Sequence, residues 1–522
     1  MPELTANLNL LTPEFALAGL AFLVFAVDLV LPLERKQWLG WLSIAGLLGL
    51  IALSVIMLWS EEESLYDGLL AVDAYSLFFK VFFMGMGIFI ILSSIDYVRQ
   101  FLDSPGEFYG LLLFSILGMN LMAQSRELLT AYISLELLSF CLYVLASYAR
   151  NSPRSNEGGL KYILIGAVSS AILLYGISMV YSTLGVTRFD DIATALMIAS
   201  DVSPALWVGV AMILAGLGFK VSAVPFHMWA PDVYEGSPYP ITAYLAIGSK
   251  AAAFALILRL VAEGFVPAVH RWDQWQLIIA VLAGVTMLVG NLVALAQRNV
   301  KRLMAYSSIG HAGFILAGVA ALSLDSPLAA NGIMLYLVGY SVTNLLVFAA
   351  LIAFFNTTGQ EMIVDFAGLA DKQPFMAACI AIGMFSLGGM PIFAGFTIKF
   401  YLFTAVANEG FLWLAGLAIF TSLISLYYYL AVIRQMYVHS ASEPSIQSSP
   451  EAAPEAALEA ANEGVSLLAE MGLSEERLAS APSVLILSVL AVALAAVFWI
   501  GVYPSPLLEP IEAASRAILP GI

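Results

Sequence analysis

The sequence has little charge and almost no cysteine. Only 11% of its 522 residues are Asp, Glu, Lys or Arg, against about 25% in an ordinary soluble domain. Hydrophobic residues make up 61% and the mean hydropathy is +0.91. A chain this poor in charge cannot cover a soluble surface, so a polytopic membrane protein is expected. The two cysteines, Cys141 and Cys379, lie in separate apolar stretches, which excludes a disulfide framework, a metal cluster and a haem attachment motif. Lysine and arginine number 21 against 37 acidic residues, a net charge of −16. That balance excludes nucleic acid as a partner, because binding phosphates needs a basic surface. The opening MPELTANLNLL lacks the basic region of a cleaved signal, so the first apolar run is expected to remain as a span. There is no GxGxxG after a strand, no Walker loop, no HExxH and no bis-histidine haem set. His227 and Asp232 have no elbow serine to complete a hydrolase triad.

What the chain has instead is apolar runs. About fourteen segments of about 20 residues are each long enough to cross the hydrocarbon core as a helix. They fall near 13–32, 38–59, 74–97, 107–125, 127–148, 159–185, 203–229, 237–262, 273–296, 300–322, 328–355, 373–407, 410–437 and 482–503. The fold class expected is all-α. Pro225 interrupts the seventh segment, and Gly388, Gly389, Pro391 and Gly395 lie inside the overlong twelfth. Both are read as broken helices. Counting basic residues in short loops places Arg35, Lys36, Arg99, Arg150, Arg154, Arg298, Lys301, Arg302, Lys372 and Arg434 on the cytoplasmic side. Arg126, Arg188, Arg259, Arg271 and Arg516 fall opposite, with both termini outside.

Leu217-Gly218 followed by Phe226 is echoed by Leu387-Gly388 followed by Phe396. With a five-span unit, segments 4–8 and 9–13 form two copies inverted in the membrane, each broken at its fourth helix, a transporter arrangement. The expected organisation is an N-terminal three-helix segment (1–106), two repeats (107–262 and 273–437), an acidic loop (438–481) and a last helix with its tail (482–522). The loop, rich in Ala, Glu, Ser and Pro, reads as a tether to the last span.

Ionisable residues inside apolar spans cost about 2.5–3.5 kcal/mol each at a helix centre and mark ion paths. Here they are Glu136, Lys220, Lys250 and Lys399, with His227 beside the Pro225 break and His311 in the tenth segment. Lys80 and Lys161 stand near the starts of their spans, where a lysine can reach the interface along its stem. His311 reads equally as a packing histidine among small residues. Lysine suits proton transfer, since burial disfavours the ammonium and a nearby carboxylate restores it. A Glu136–Lys220 pair would hold the proton on Lys220, and separating the pair would release it. Moving one charge against 100 mV costs about 2.3 kcal/mol, or about 1.7 pKa units. A buried lysine's swing exceeds that. His227 is suited to pass protons between lysines. The alternative for all of these is a static ion pair that fixes helix packing.

The stretch KVSAVPFHMWAPDVYEGSPYP (220–240), with Glu136 upstream and Lys399 in the later broken span, resembles the proton-translocating antiporter-like family. Its members are membrane subunits of respiratory complex I, photosynthetic NDH complexes, Mrp cation/proton antiporters and some membrane-bound hydrogenases. RSNEGGLKYILIGAVSSAILLYGISMVYSTLG (154–185) is similar to subunit 2, also called subunit N, and most to its cyanobacterial and chloroplast form. The resemblance spans nearly the whole chain except the acidic loop. It implies fourteen helices with inverted five-helix units broken at helices 7 and 12. It implies that Glu136 and Lys220 serve a first half-channel and Lys399 a second. Lys250 joins them with His227 as intermediary, Lys161 is the sixth-span lysine, and His311 links the central axis. It implies no cofactor on this chain; NAD(P)H or ferredoxin, Fe–S clusters and plastoquinone would belong to other membrane and hydrophilic subunits. The expected setting is a cyanobacterial thylakoid with lumenal termini and a lipid surround. A stand-alone Mrp-type antiporter, a solute transporter of unrelated fold and a scaffold subunit are the rival readings.

Overall fold

A backbone in hydrocarbon must satisfy its own N–H and C=O groups, so apolar runs of this length become helices. The computed structural model describes residues 7–199, 203–439 and 481–519. The acidic loop expected at 438–481 falls almost entirely outside the described residues. In chain order the helices are α1 (Thr12–Val30), α2 (Trp38–Leu58), α3 (Ala74–Phe101), α4 (Pro105–Gln124), α5 (Leu128–Ala146), α6 (Pro153–Leu184) and α7 (Phe189–Ile198). There follow α8 (Pro204–Val221), α9 (Trp229–Gly236), α10 (Tyr239–Tyr244), α11 (Lys250–Gly264), α12 (Val269–Ala294), α13 (Val300–Ala320) and α14 (Leu328–Thr358). The last are α15 (Leu369–Lys372), α16 (Pro374–Gly388), α17 (Ala394–Asn408), α18 (Leu412–Tyr437), α19 (Val484–Val502) and α20 (Ser505–Ile518).

Thirteen helices among the described residues are long and apolar enough to cross a membrane, α10 and α11 counting as one continuous Tyr239–Gly264 span. The shorter α16 and α17 together supply the twelfth segment expected from the sequence. The protein is therefore an integral, multi-pass, helical membrane protein. The seventh expected segment is indeed broken. Helix α8 stops at Val221, and the chain runs through 222–228 before α9 begins. Ser222 at the first break (φ 60°) and Ile392 at the second (φ 80°) both take left-handed conformations. These are costly for side chains other than glycine, most of all for a β-branched one. Gly395 is forced by close approach: a Cβ there would lie 1.6 Å from the Ser386 carbonyl oxygen.

Three elements were not legible as spans. Helices α7 and α20 are short and amphipathic, with single buried stripes. A two-stranded antiparallel hairpin, Glu63–Leu65 paired with Leu70–Val72, folds the acidic 61–73 loop over the bundle end. The Tyr239–Gly264 span also contains a π-helical turn, Leu245–Ser249, immediately before Lys250. Such turns often sit at functional positions.

Burial sorts the spans. Tyr239–Gly264, α13 and α14 lie almost wholly inside the molecule, whereas α2, α18 and α19 present apolar side chains outward. Helix α14 packs against α3, α16, α17 and α19 and so joins the region of the second break to the N-terminal helices.

Candidate functional site

The site is a row of buried polar side chains strung between the two breaks. At one end, Glu136 on α5 accepts a hydrogen bond from Ser170 of α6 (2.5 Å). It shares its helix face with the exposed Leu129, Ile133, Phe140 and Val144, so it is only half-buried. Mid-span along the helix, it nevertheless stands at the lateral surface of the bundle.

Lys220 sits at the end of α8 and is 2% exposed. Its Nζ has no protein hydrogen-bond partner among the described residues. It lies instead 5.4 Å from the Tyr143 ring centre, 5.8 Å from Tyr162 and 5.7 Å from Phe219, within range of their negative π faces. Glu136 is the carboxylate whose field reaches it. The direct Glu136–Lys220 pair expected from the sequence is thus opened out, with Ser170 on the carboxylate and aromatic rings around the ammonium. The break is braced by Trp229, whose indole N–H donates to the Phe219 carbonyl (2.8 Å). The Val224 N–H donates to Thr286 Oγ1 (3.0 Å), so part of the backbone freed by the break is satisfied by side chains.

Lys250, 3% exposed, donates a short hydrogen bond to Ser308 Oγ of α13 and lies 5.8 Å from the Tyr234 ring centre. Tyr234 OH is 3.4 Å from the same Ser308 oxygen. Further along, His311 Nδ1 meets Tyr336 OH at 2.6 Å, and its Nε2 is 3.4 Å from Tyr429 OH. Tyr429 also bonds Ser307 (2.5 Å). Lys399 and Lys250 are the charged groups whose fields reach the His311 ring. His311 therefore has specific polar partners on both nitrogens and stands between two lysines, which goes beyond the packing role that the sequence left open.

Lys399, on α17, closes the row. Its Nζ donates to the Leu387 carbonyl (2.6 Å) and to Ser422 Oγ (2.8 Å). Leu387 is in the last turn of α16, where carbonyls lack intrahelical donors and the helix dipole favours a cation. Behind it, the Gly395 N–H donates to Ser386 Oγ (3.0 Å). The breaks at Pro225 and Pro391 are both exposed on the outer face of the bundle.

Two expected members are not joined to the row. His227 is half-buried beside the exposed Pro225 and Met228. Its Nδ1 has no hydrogen-bond partner among the described residues, and no hydrogen bond among them joins it to Lys250. Lys161 is partly exposed and held by Asp232 (2.8 Å) and Glu157 (2.7 Å). Asp232 in turn pairs with Arg302 (2.7 Å), which also holds Glu235 (2.8 Å). Asp232 and Glu235 thus act in a rim network that ties α6, α9 and α13 together.

Sequence reasoning missed the hydroxyls. Tyr143, Tyr162, Tyr234, Tyr336, Tyr340 and Tyr429 line the row, together with Ser307 and Ser308. One signal was available: Tyr143 lies seven residues after Glu136, and Ser307 and Ser308 lie four and three before His311, all helix-face spacings.

Two further buried clusters were also misjudged. Lys80 does not reach an interface. It is fully buried against Glu14 (2.6 Å), which also accepts from Gln124 (2.7 Å). Arg259, placed in a loop by charge counting, is 0% exposed on α11. It bonds Asp73 through both terminal nitrogens (2.8 Å each) and Glu263 (3.0 Å), while Arg126 holds Glu263 from the other side (2.7 Å). Among the described residues no group of three or more His, Cys, Asp or Glu is placed to hold a metal.

Comparison with known proteins places the chain in a family. Residues 125–425 match the family model described as NADH:quinone oxidoreductase/Mrp antiporter, TM. NADH-quinone oxidoreductase subunit N of Desulfitobacterium hafniense is 41% identical over 449 residues, covering 83% of this chain and 89% of that protein. The subunit N of Heliobacterium modesticaldum is 42% identical over 435 residues, with the same coverages. Among solved structures, a chain of respiratory complex I from Thermus thermophilus with bound aureothin is 32% identical. It aligns with a TM-score of 0.68 over 90% of this chain and all of that one. A chain of the Mrp complex from Dietzia sp. shares the fold (TM-score 0.75, 98% of each chain) at 20% identity. The match extends through α5–α17 and most of α18, and so takes in Glu136, Lys220, Lys250, His311, Lys399 and both helix breaks: this chain belongs to the NADH:quinone oxidoreductase/Mrp antiporter transmembrane family, among the relatives of subunit N.

Proposed function

We propose that this chain is a proton-translocating membrane subunit of an NADH-quinone oxidoreductase, coupling quinone reduction in other subunits to proton movement along the Glu136–Lys399 row. The observation that carries the reading is the row itself. Three lysines and a histidine are buried in the interior with no tightly bound counter-charge, Lys250, His311 and Lys399 on hydroxyl partners and Lys220 among aromatic rings, so a proton gained or lost at one is felt at the next. Low dielectric strengthens such coupling. The subunit N relatives support the complex, as does Glu136, whose carboxylate on an apolar lateral face would cost about 2.5–3.5 kcal/mol in lipid. A neighbouring subunit against α5 and α6 removes that cost. The chain itself then needs no cofactor; NADH, Fe–S clusters and quinone sit elsewhere in the complex.

The finer parts of the reading are proposals on the same footing. The α4–α11 and α12–α18 regions act as two inverted half-channels, protons enter from the face bearing Lys36, Arg99 and Arg302, and both termini lie on the opposite face. A plastoquinone-reducing complex in a thylakoid rests on the subunit 2 likeness of residues 154–185 alone. The bacterial relatives named above support a quinone oxidoreductase of the plasma membrane equally well. Cation/proton exchange is a second reading, favoured by the Mrp half of the family description.

The test is Lys220→Ala and Glu136→Ala in the assembled complex, with proton uptake into vesicles followed during quinone reduction. Both variants lose coupled uptake under this reading. Unchanged uptake in both, with the subunit present, removes it.

A further inference from the structure

Lys220 and Lys250 need a connection, and His227 does not supply it. Beside Lys220 lies Tyr162, and its surroundings are specific. Its ring stacks on Trp229 (4.6 Å, 8° between planes) and meets Tyr143 edge-on at 4.7 Å. Trp229 is itself pinned by its bond to the Phe219 carbonyl. The ring is therefore held in place on the far side of the break, with Lys220 Nζ 5.8 Å from its centre. Its hydroxyl is fully buried and makes no hydrogen bond of ordinary length among the described residues. Ser249 Oγ is the hydroxyl placed to pair with that phenol; it is 1% exposed and has no other partner among the described residues. Tyr234, whose hydroxyl reaches the Ser308 oxygen that Lys250 bonds, is the other phenol near Tyr162.

Two buried hydroxyls that have no partner but each other among the described residues are unusual, because buried polar groups in native proteins are nearly always fully bonded. Ser249 is also the last residue of the π-helical turn, which offsets its hydroxyl from the regular helical position and puts it next to Lys250 in sequence.

We propose that Tyr162 and Ser249 form the hydroxyl relay that carries a proton between Lys220 and the Tyr234–Ser308–Lys250 cluster. This rests on the proton-translocation reading above and names its middle section. The step balances without any co-reactant. The Lys220 ammonium gives up one proton and becomes an amine, and the Tyr162 oxygen takes that proton while its own hydroxyl proton passes to Ser249 Oγ. The Ser249 hydroxyl proton moves on through Tyr234 and Ser308, and the Lys250 amine becomes an ammonium. Each hydroxyl ends with one proton, as it began, and resets by rotation about its C–O bond. A hydroxyl can do this because it donates one hydrogen bond and accepts two. The direction reverses when the charges reverse.

The experiment uses the assembled complex in vesicles. Tyr162→Phe keeps the ring, its stack on Trp229 and its contact with Lys220, and removes only the oxygen. Its coupled proton uptake falls by about tenfold or more, the scale on which a proton-transfer group contributes, and matches the loss in Lys220→Ala. Ser249→Ala loses uptake in the same way, whereas Ser249→Thr, which keeps the hydroxyl, restores it. A residue that only packs would not separate alanine from threonine in that order. His227→Gln retains uptake. If Tyr162→Phe assembles poorly, the Ser249 pair decides alone. Loss in Lys220→Ala with wild-type uptake in Tyr162→Phe, or in Ser249→Ala, overturns the relay and leaves the translocation reading standing. Wild-type uptake in Lys220→Ala overturns the underlying reading.

Discussion

Lys220 and Arg259 are both cations sealed inside the same bundle, yet their surroundings are opposite. Arg259 is clamped by two carboxylates and makes three charge-assisted hydrogen bonds, and Arg126 shares one of those carboxylates. Lys220 has only aromatic faces around it and a carboxylate at a distance. An arginine stays charged at any physiological pH and its fork fits two carboxylates, so the first cluster stores no exchangeable proton. A lysine without a fixed counter-ion has no bonded carboxylate to hold its proton in place, so it can give the proton up and take it back. A buried charge in a membrane thus has two meanings. What separates them is whether a counter-charge is already bound in place.

The largest effect that sharpens this contrast is on stability. Arg259→Met leaves Asp73 buried without its ionic partner and Glu263 held by Arg126 alone, and such losses cost about 3–5 kcal/mol. The purified protein should show a sharply lower melting temperature. A melting temperature equal to the parent's would put Arg259 in the same class as Lys220. Lys80→Met removes one partner of a buried pair and costs about 3 kcal/mol or more, but adding Glu14→Met should recover most of it, because no lone charge then remains. A double variant as unstable as the single would show that Glu14 has other work. Lys220→Met strands no bonded partner, so its stability stays within about 1 kcal/mol of the parent, in keeping with a volume-conserving apolar replacement. The comparison breaks if Lys220→Met unfolds as readily as Arg259→Met. Smallest is Lys161→Ala. Its pairs with Glu157 and Asp232 are partly exposed, and exposed pairs contribute about 0–1 kcal/mol. Thermal melts of the two proteins should nearly superimpose.

Much of the architecture could be read directly. Apolar runs determined the spans because hydrocarbon leaves the backbone no choice but helix, and Pro225 and the Gly388–Pro391 cluster located both breaks. The hairpin at 63–72 and the two amphipathic helices were hidden, since short elements have no span-length signal and depend on packing against the bundle end. Within the site, the charged residues were found because their cost in a membrane makes them conspicuous. Tyr162, Tyr234 and Ser249 were not, because tyrosine and serine are common in apolar spans and cheap enough to escape that test.

What the sequence determined by itself is the solvent-imposed part: membrane residence, helical spans, the breaks, and the set of residues that must avoid lipid. Only the tertiary structure decided which of those residues meet. It separated Glu136 from Lys220, left His227 half-buried and off the row, buried Arg259 and Lys80 in closed pairs, and set hydroxyls on Lys250 and Lys399. The reason is physical. Whether a group tolerates the membrane depends on its own chemistry and its neighbours along the chain. Whether a buried cation is satisfied depends on side chains up to 186 residues away, as for Arg259 and Asp73, and helix packing alone brings those together.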